Sequence, residues 1–283
     1  MKLLQYSMVI LALLAFNACS DDDDPGIPEV SSAISFKTSD ISLQSDAPVG
    51  VLLLGTDAEV ENQVNKKYEA KLDKGTLYLE PADVSNAVML PAGASAFNVF
   101  TYHPYSDQLD KESLSLPIDL TDQGEWYDTG FKTSKGVSVS APVDTAVWVD
   151  LKDCLSSLRI SVRKSKGDAT EVVKLTKDNI SVSNVALSGS YSFKDNKFTD
   201  KKVSEKYTFA LFDDEGAAKG VFLPGDEAVA ITYKDENGKI ITLTQIGGDG
   251  VDGKTDIRLA AGYRFDITIT VEGDQVEAIA SGE

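Results

Sequence analysis

Tyr263-Arg264-Phe265-Asp266-Ile267-Thr268-Ile269-Thr270-Val271 places an apolar side chain at every second position. Successive side chains of a strand leave on opposite faces, so Tyr263, Phe265, Ile267, Ile269 and Val271 are expected on one buried face. Arg264, Asp266, Thr268 and Thr270 take the other face, a division that no helix would produce. Shorter copies of the pattern occur at Leu158, Ile160 and Val162, at Tyr207, Phe209 and Leu211, at Val229, Ile231 and Tyr233, and from Phe97 to Tyr102. Asn237-Gly238 separates the run ending at Tyr233 from Lys239 to Thr244, and both turn residues accept positive φ, so this pair marks a hairpin. Helical periodicity is weak, with Asp57 to Lys67 its only modest instance. Short strands divided by Gly, Pro and Asp turns predict an all-β fold, read as two tandem β-sandwich domains.

The chain has 283 residues, 42% of them apolar, enough for two cores. The first sandwich is expected over 33–164 and the second over 165–283, divided where Lys164-Ser165-Lys166-Gly167-Asp168 interrupts the strand pattern with flexible polar residues. With 27 basic against 45 acidic side chains the formal net charge is -18, which repels phosphates and argues against nucleic acid as a partner.

Lys2, an apolar run from Met8 to Phe16 and then Asn17-Ala18-Cys19 form the regions of a secretory signal peptide over residues 1–18. The apolar run is too short to span a bilayer. Leu14-Ala15-Phe16-Asn17-Ala18-Cys19 resembles the lipobox of bacterial lipoproteins, which implies diacylation of Cys19 and attachment to the outer membrane through that lipid. Ser20-Asp21-Asp22-Asp23-Asp24 resembles the acidic export tether of surface lipoproteins of Bacteroides-like bacteria, and residues 19–32 read as a lipidated acidic linker. With Cys19 acylated, Cys154 has no partner for an intramolecular disulfide, so stability has to come from packing.

Catalytic constellations are sparse. His103 is the single histidine, without a Gly-x-Ser-x-Gly nucleophile elbow, and reads as a strand-end histidine beside tyrosines. Cys154, in Leu151-Lys152-Asp153-Cys154-Leu155, reads as part of a strand. No zinc spacing, P-loop or dinucleotide fingerprint is present, and no cofactor or metal is expected. The acids are spread over turns and none stands out as half of a glycosidase pair. Gly247 to Asp256 carries several oxygens that could wrap calcium, but the spacing is not that of an EF-hand and Lys254 intrudes, so a hairpin loop is favoured.

Four segments together resemble the fimbrillin superfamily, the subunits and anchors of type V pili of Bacteroides-type bacteria. They are Phe97-Asn98-Val99-Phe100-Thr101-Tyr102-His103-Pro104-Tyr105, Val147 to Val162 with Leu155-Ser156-Ser157-Leu158-Arg159-Ile160-Ser161-Val162, Val182 to Val185 leading to Gly189-Ser190-Tyr191, and Leu259 to Thr268. The resemblance implies two transthyretin-like sandwiches, a non-enzymatic structural and adhesive role at the cell surface, and other fimbrial subunits as partners. It also implies assembly by strand exchange, in which a removed N-terminal strand leaves a groove for a neighbour's terminal strand. Ile34, Phe36, Ile41 and Leu43 then mark the exchangeable strand, and Val276, Ala278 and Ala280 the donor. Two edge strands of an ordinary sandwich would show the same patterns. Relatives are matured after an arginine, whereas the first arginine here is Arg159, so Lys37 is the basic residue near the expected cleavage position. Both an uncleaved anchor and a subunit cut at Lys37 fit that departure. A glycan-binding surface lipoprotein is the rival reading, in which Trp126-Tyr127, placed in a loop between Gly124 and Gly130, would stack on a sugar ring.

Overall fold

Arg264–Glu272 is a strand in the computed structural model, with Ile267 and Ile269 buried and Phe265 and Val271 half-buried. Tyr263 departs from the expected face and is 55% exposed. It lies just before the strand, in a turn where Gly262 adopts φ +75° and Tyr263 N–H donates to the Ala260 carbonyl. The structure describes residues 32–40, 43–55, 62–90, 96–140, 146–166, 169–248, 251–272 and 275–282. The signal peptide, Cys19, the tether and Ile41 lie outside these residues.

The first half contributes β1 (Phe36–Thr38), β2 (Pro48–Gly55), β3 (Gln63–Asp73), β4 (Thr76–Pro81), β5 (Phe97–His103), β6 (Ser115–Asp119), the helix α1 (Gln123–Thr129) and β7 (Val147–Trp148). A nine-stranded sheet runs β7-β1-β4-β3-β2-β5 and continues through the short strands Lys132–Thr133 and Lys152–Asp153. In β2 the consecutive residues Val51, Leu52 and Leu53 are all fully buried, which requires cover on both faces of the sheet. Val51 and Leu53 pack with Phe36, Tyr68, Leu79, Phe97 and Val149 on one side, while Leu52 joins Phe100, Tyr102, Leu116, Tyr191 and Phe193 on the other.

The second half begins with β8 (Ser156–Lys166) and β9 (Ala169–Val173), followed by β10 (Ile180–Ser183), β11 (Val185–Ser192), β12 (Lys197–Ser204), β13 (Ala218–Phe222), β14 (Ala230–Lys234), β15 (Ile240–Leu243), β16 (Gln245–Gly248), β17 (Val251–Asp256), β18 (Arg264–Glu272) and β19 (Gln275–Gly282). An eight-stranded sheet, with β13-β8-β18-β19-β16-β17 in its spine, and a four-stranded sheet containing β10-β14-β15 enclose a core that includes Leu158, Ile160, Ile231, Tyr233, Ile267 and Ile269.

Three features differ from the sequence expectation. Residues 63–67 belong to β3, whose Tyr68 and Ala70 are buried and whose charged neighbours point outward, so the expected helix over Asp57 to Lys67 does not form in its described part. Lys166 pairs with Ala169 as β8 runs antiparallel to β9, so Lys164 to Lys166 belong to a strand of the second half. And β6, from the first half, pairs with β11 from the second, Tyr191 opposite Leu116, so the halves share a three-stranded sheet with β12.

Candidate functional site

The N-terminal strand occupies the interior of its sheet. On one side β1 pairs antiparallel with β4, Phe36 opposite Leu79 and Thr38 opposite Leu77. On the other, β7 runs parallel to it, and Val147 N–H donates to the Ser35 carbonyl at 2.8 Å and Val149 N–H to the Lys37 carbonyl at 2.9 Å. β1 is therefore not an edge strand, because of a two-residue partner that sequence periodicity is too short to register. Phe36 is fully buried with its ring edge-to-face against Tyr68, centroids 5.5 Å apart. Ile34 and Leu43 are buried in the same cluster, and Ile34 N–H donates to Val88 O at 2.9 Å. Burial pushes the Tyr68 hydroxyl up to about 12 while it accepts a hydrogen bond from Val88 N–H.

Polar contacts hold the same segment. The Lys37 ammonium lies 4.5 Å from the ring centroid of Trp148, whose other surface is exposed. Just beyond β1, the nearly buried Asp40 carboxylate meets Lys132 Nζ at 2.9 Å, and Asp153 stands 3.8 Å from the same ammonium. Burial raises the Asp153 carboxyl above the usual range, opposed by Lys132. Nearby, His103 is buried, its Nδ1–H donating to Pro48 O at 2.8 Å, and burial with Lys132 close by lowers its pKa.

The C-terminal strand is also interior. β19 pairs antiparallel with β18 from Phe265 opposite Gly282 to Glu272 opposite Gln275, and runs parallel to β16 at Ile279 and Ala280. Ala278 is buried, with Val276 and Ala280 packed against the same core, so these three side chains fill their own sandwich. Ile279 points the other way and is 40% exposed.

A third feature lies where the halves meet. Trp126 and Tyr127 sit on α1, where a loop was expected, because a seven-residue helix is too short to show its period. Gln123 anchors that helix: its buried amide donates to Val221 O at 3.0 Å and accepts from Val221 N–H at 2.7 Å, pairing with β13 as a strand would. Trp126 and Tyr127 are half-buried and border a cavity of about 280 Å³ that Tyr263 and Arg264 also line. Of the Gly247 to Asp256 segment, Gly247 and Gly248 lie on β16 and Val251 to Asp256 on β17, and the two strands pair antiparallel with Gly247 opposite Lys254. Among the described residues no group of three or more His, Cys, Asp or Glu is placed to hold a metal ion, and no helix is long and apolar enough to cross a membrane.

Residues 37–282 match the fimbrillin-like family model. The chain belongs to the fimbrillin-like family. Solved structures share the fold of this fimbrillin-like protein at low sequence identity. A candidate cell adhesion protein of Bacteroides uniformis superimposes with a TM-score of 0.68 at 18% identity, covering 91% of this chain and 99% of that one. A fimbrial assembly protein of Parabacteroides distasonis gives 0.52 at 11% identity, covering 89% and 96%. The C-terminally truncated tip fimbrial protein of Porphyromonas gingivalis gives 0.50 at 9% identity, covering 89% and 98%. Comparison with curated protein sequences finds no significant match.

Within this fimbrillin-like chain, Ile34, Phe36 and Leu43 converge on one cluster as their alternation predicts, and Lys37 points away from it. The C-terminal residues form a separate cluster in the second half. Sequence reasoning missed Trp148 and Asp40, whose partners lie far along the chain.

Proposed function

We propose that this fimbrillin-like protein is a pilus subunit or anchor on the cell surface, without catalytic activity, held to the outer membrane by lipid on Cys19 with Ser20 to Asp24 as the acidic tether. Assembly proceeds by strand exchange with other fimbrial subunits. The observation that carries this reading is the placement of β1 between an antiparallel and a parallel neighbour. Its departure would leave β4 and β7 with unpaired backbone groups on facing edges and an apolar slot where Phe36 sits, a state that an incoming strand relieves. The interior position of β19 qualifies the donor role, since Val276 to Ala280 can be offered only after parting from β18 and β16. We place the start of the second sandwich near Ser156, where β8 begins.

Limited proteolysis at Lys37, followed by sizing with and without boiling, tests the exchange. Heat-sensitive ladders after cleavage support it. A cleaved chain that stays monomeric leaves the uncleaved anchor as the function.

A further inference from the structure

Beyond assembly, the cavity between α1 and the start of β18 has the chemistry of a sugar-binding subsite. Its two walls come from different halves of the chain. Trp126 and Tyr127 form one, fixed by the Gln123 clamp onto β13. Tyr263 and Arg264 form the other, and Arg264 Nη2 donates to Tyr127 Oη at 3.4 Å across the gap. Lys219 lies 4.7 Å from the Tyr127 ring centroid, a further contact that holds this wall in place.

Between the walls sits Asp153. Two glycines make room for it: a Cβ on Gly130, at φ +66°, would stand 2.8 Å from Asp153 Oδ1, and one on Gly262, at φ +75°, would stand 2.9 Å from the Asp153 carbonyl. Both glycines border the cavity, so side chains there would crowd Asp153. Asp153 Oδ2 is 3.8 Å from Lys132 Nζ, beyond hydrogen-bond distance, and a hydroxyl entering the cavity would supply a closer donor.

We infer that this cavity binds a neutral glycan, with aromatic rings against the apolar face of one sugar unit and Asp153 and Arg264 hydrogen-bonded to its hydroxyls. Trp126, Tyr127 and Tyr263 line the cavity and provide the stacking surface, and Tyr263 is 55% exposed although its ring lies 6.3 Å from that of Phe265. The lining carries Lys132 and Arg264 against Asp128 and Asp153, and Lys132 is already paired with Asp40, so no excess positive charge is left to draw an anionic ligand. The volume of about 280 Å³ lies just below the usual range of about 300–1,000 Å³ for small-molecule sites, which suits a single sugar unit at a chain end or branch. The inference stands apart from strand exchange, since the uncleaved monomer already holds the complete cavity.

Trp126 and Trp148 are the two tryptophans of the chain, so W148F in the full chain leaves Trp126 as the fluorescent reporter. The expected result is a saturable emission change with at least one of cellohexaose, xylohexaose and mannohexaose, weakened at least about tenfold by Tyr263→Ala. Asp153→Asn, which keeps the shape and removes the charge, should weaken it as well. Absence of any saturable change with the three oligosaccharides overturns the inference, as does a change that survives Tyr263→Ala undiminished. A response confined to hexagalacturonate overturns the neutral class. These measurements need no cleavage and no oligomer, so their failure is separable from failure of the assembly reading.

Discussion

The ammonium of Lys37 and the indole of Trp148 are stacked at 4.5 Å to the ring centroid, and the strand carrying Trp148 also binds the Lys37 carbonyl through Val149 N–H at 2.9 Å. The basic residue nearest the expected maturation point is therefore covered by an edge strand, and its peptide bonds are paired on both sides. A protease binds its substrate as an extended chain with free edges, so cutting here depends on local opening.

Cleavage after Lys37 by a lysine-specific protease should be slow in the native chain. Trp148→Ala removes a contact worth about 0.5–1 kcal/mol, and the cleavage rate should rise about two- to fivefold. Timed digestion read by mass spectrometry checks this; an unchanged rate would mean that β7 does not guard the site.

Phe36→Ala empties a fully buried ring site against Tyr68 and should cost about 3–5 kcal/mol. Urea unfolding is the measurement, with the midpoint falling and the slope retained. A loss below about 1 kcal/mol would show that β1 contributes little to the core it occupies, contrary to a groove that needs filling.

Stability should depend on pH through His103. Its folded pKa lies below the ordinary value of 6.5, so as pH falls past 6.5 the unfolded chain binds a proton that the folded chain refuses. Stability then declines until the lower folded pKa is reached, and is unaffected by this group above the ordinary value. Asp153 acts with the opposite sign, since its raised folded pKa makes the folded chain bind a proton first on acidification. Unfolding midpoints of wild type and His103→Gln between pH 7 and pH 5 should converge as pH falls; parallel curves would exclude His103 as a source of the decline.

Thr268 stands opposite Ile279 in the β18–β19 ladder. A cysteine pair at these positions, oxidised, should staple the C-terminal strand in place and abolish the ladders seen after cleavage at Lys37, while reduction restores them. Ladders that persist in the oxidised protein would move the donor role away from Val276 to Ala280.

Replacing Cys19 with Ala should release the protein from membranes, because two acyl chains supply a stable anchor and no other attachment is proposed. Fractionation of cells expressing either form is the check, and continued membrane association would refute lipidation as the anchor.

Alternation made the strands legible wherever one face meets a core and the other meets water, as at Ile267 and Ile269 or Ile34 and Phe36. The Asn237-Gly238 hairpin was legible from turn chemistry: Gly238 has φ +82° and the Asp235 carboxylate accepts from Asn237 and Lys239 N–H. Where both faces are buried, as at Val51 to Leu53, period two carries no information. Trp148 belongs to a strand of two residues, and its partner β1 lies more than a hundred residues earlier, so neither pattern nor local turn reveals the pairing. The cavity walls were half legible, since Trp126 and Tyr127 stand out as an aromatic pair while the spacing of Tyr263 assigns it to a core.

The pairing of β6 with β11 bears on how such a protein carries load. Five positions, from Ser115 opposite Ser192 to Asp119 opposite Ser188, cross between the halves, and Gln123 adds a two-bond rivet to Val221 just beyond them. A tensile pull that separates the halves has to shear this ladder rather than straighten a slack linker. The segment between them therefore behaves as a stiff joint, and a fibre built from such units would stretch at the junctions between subunits before it yields within one.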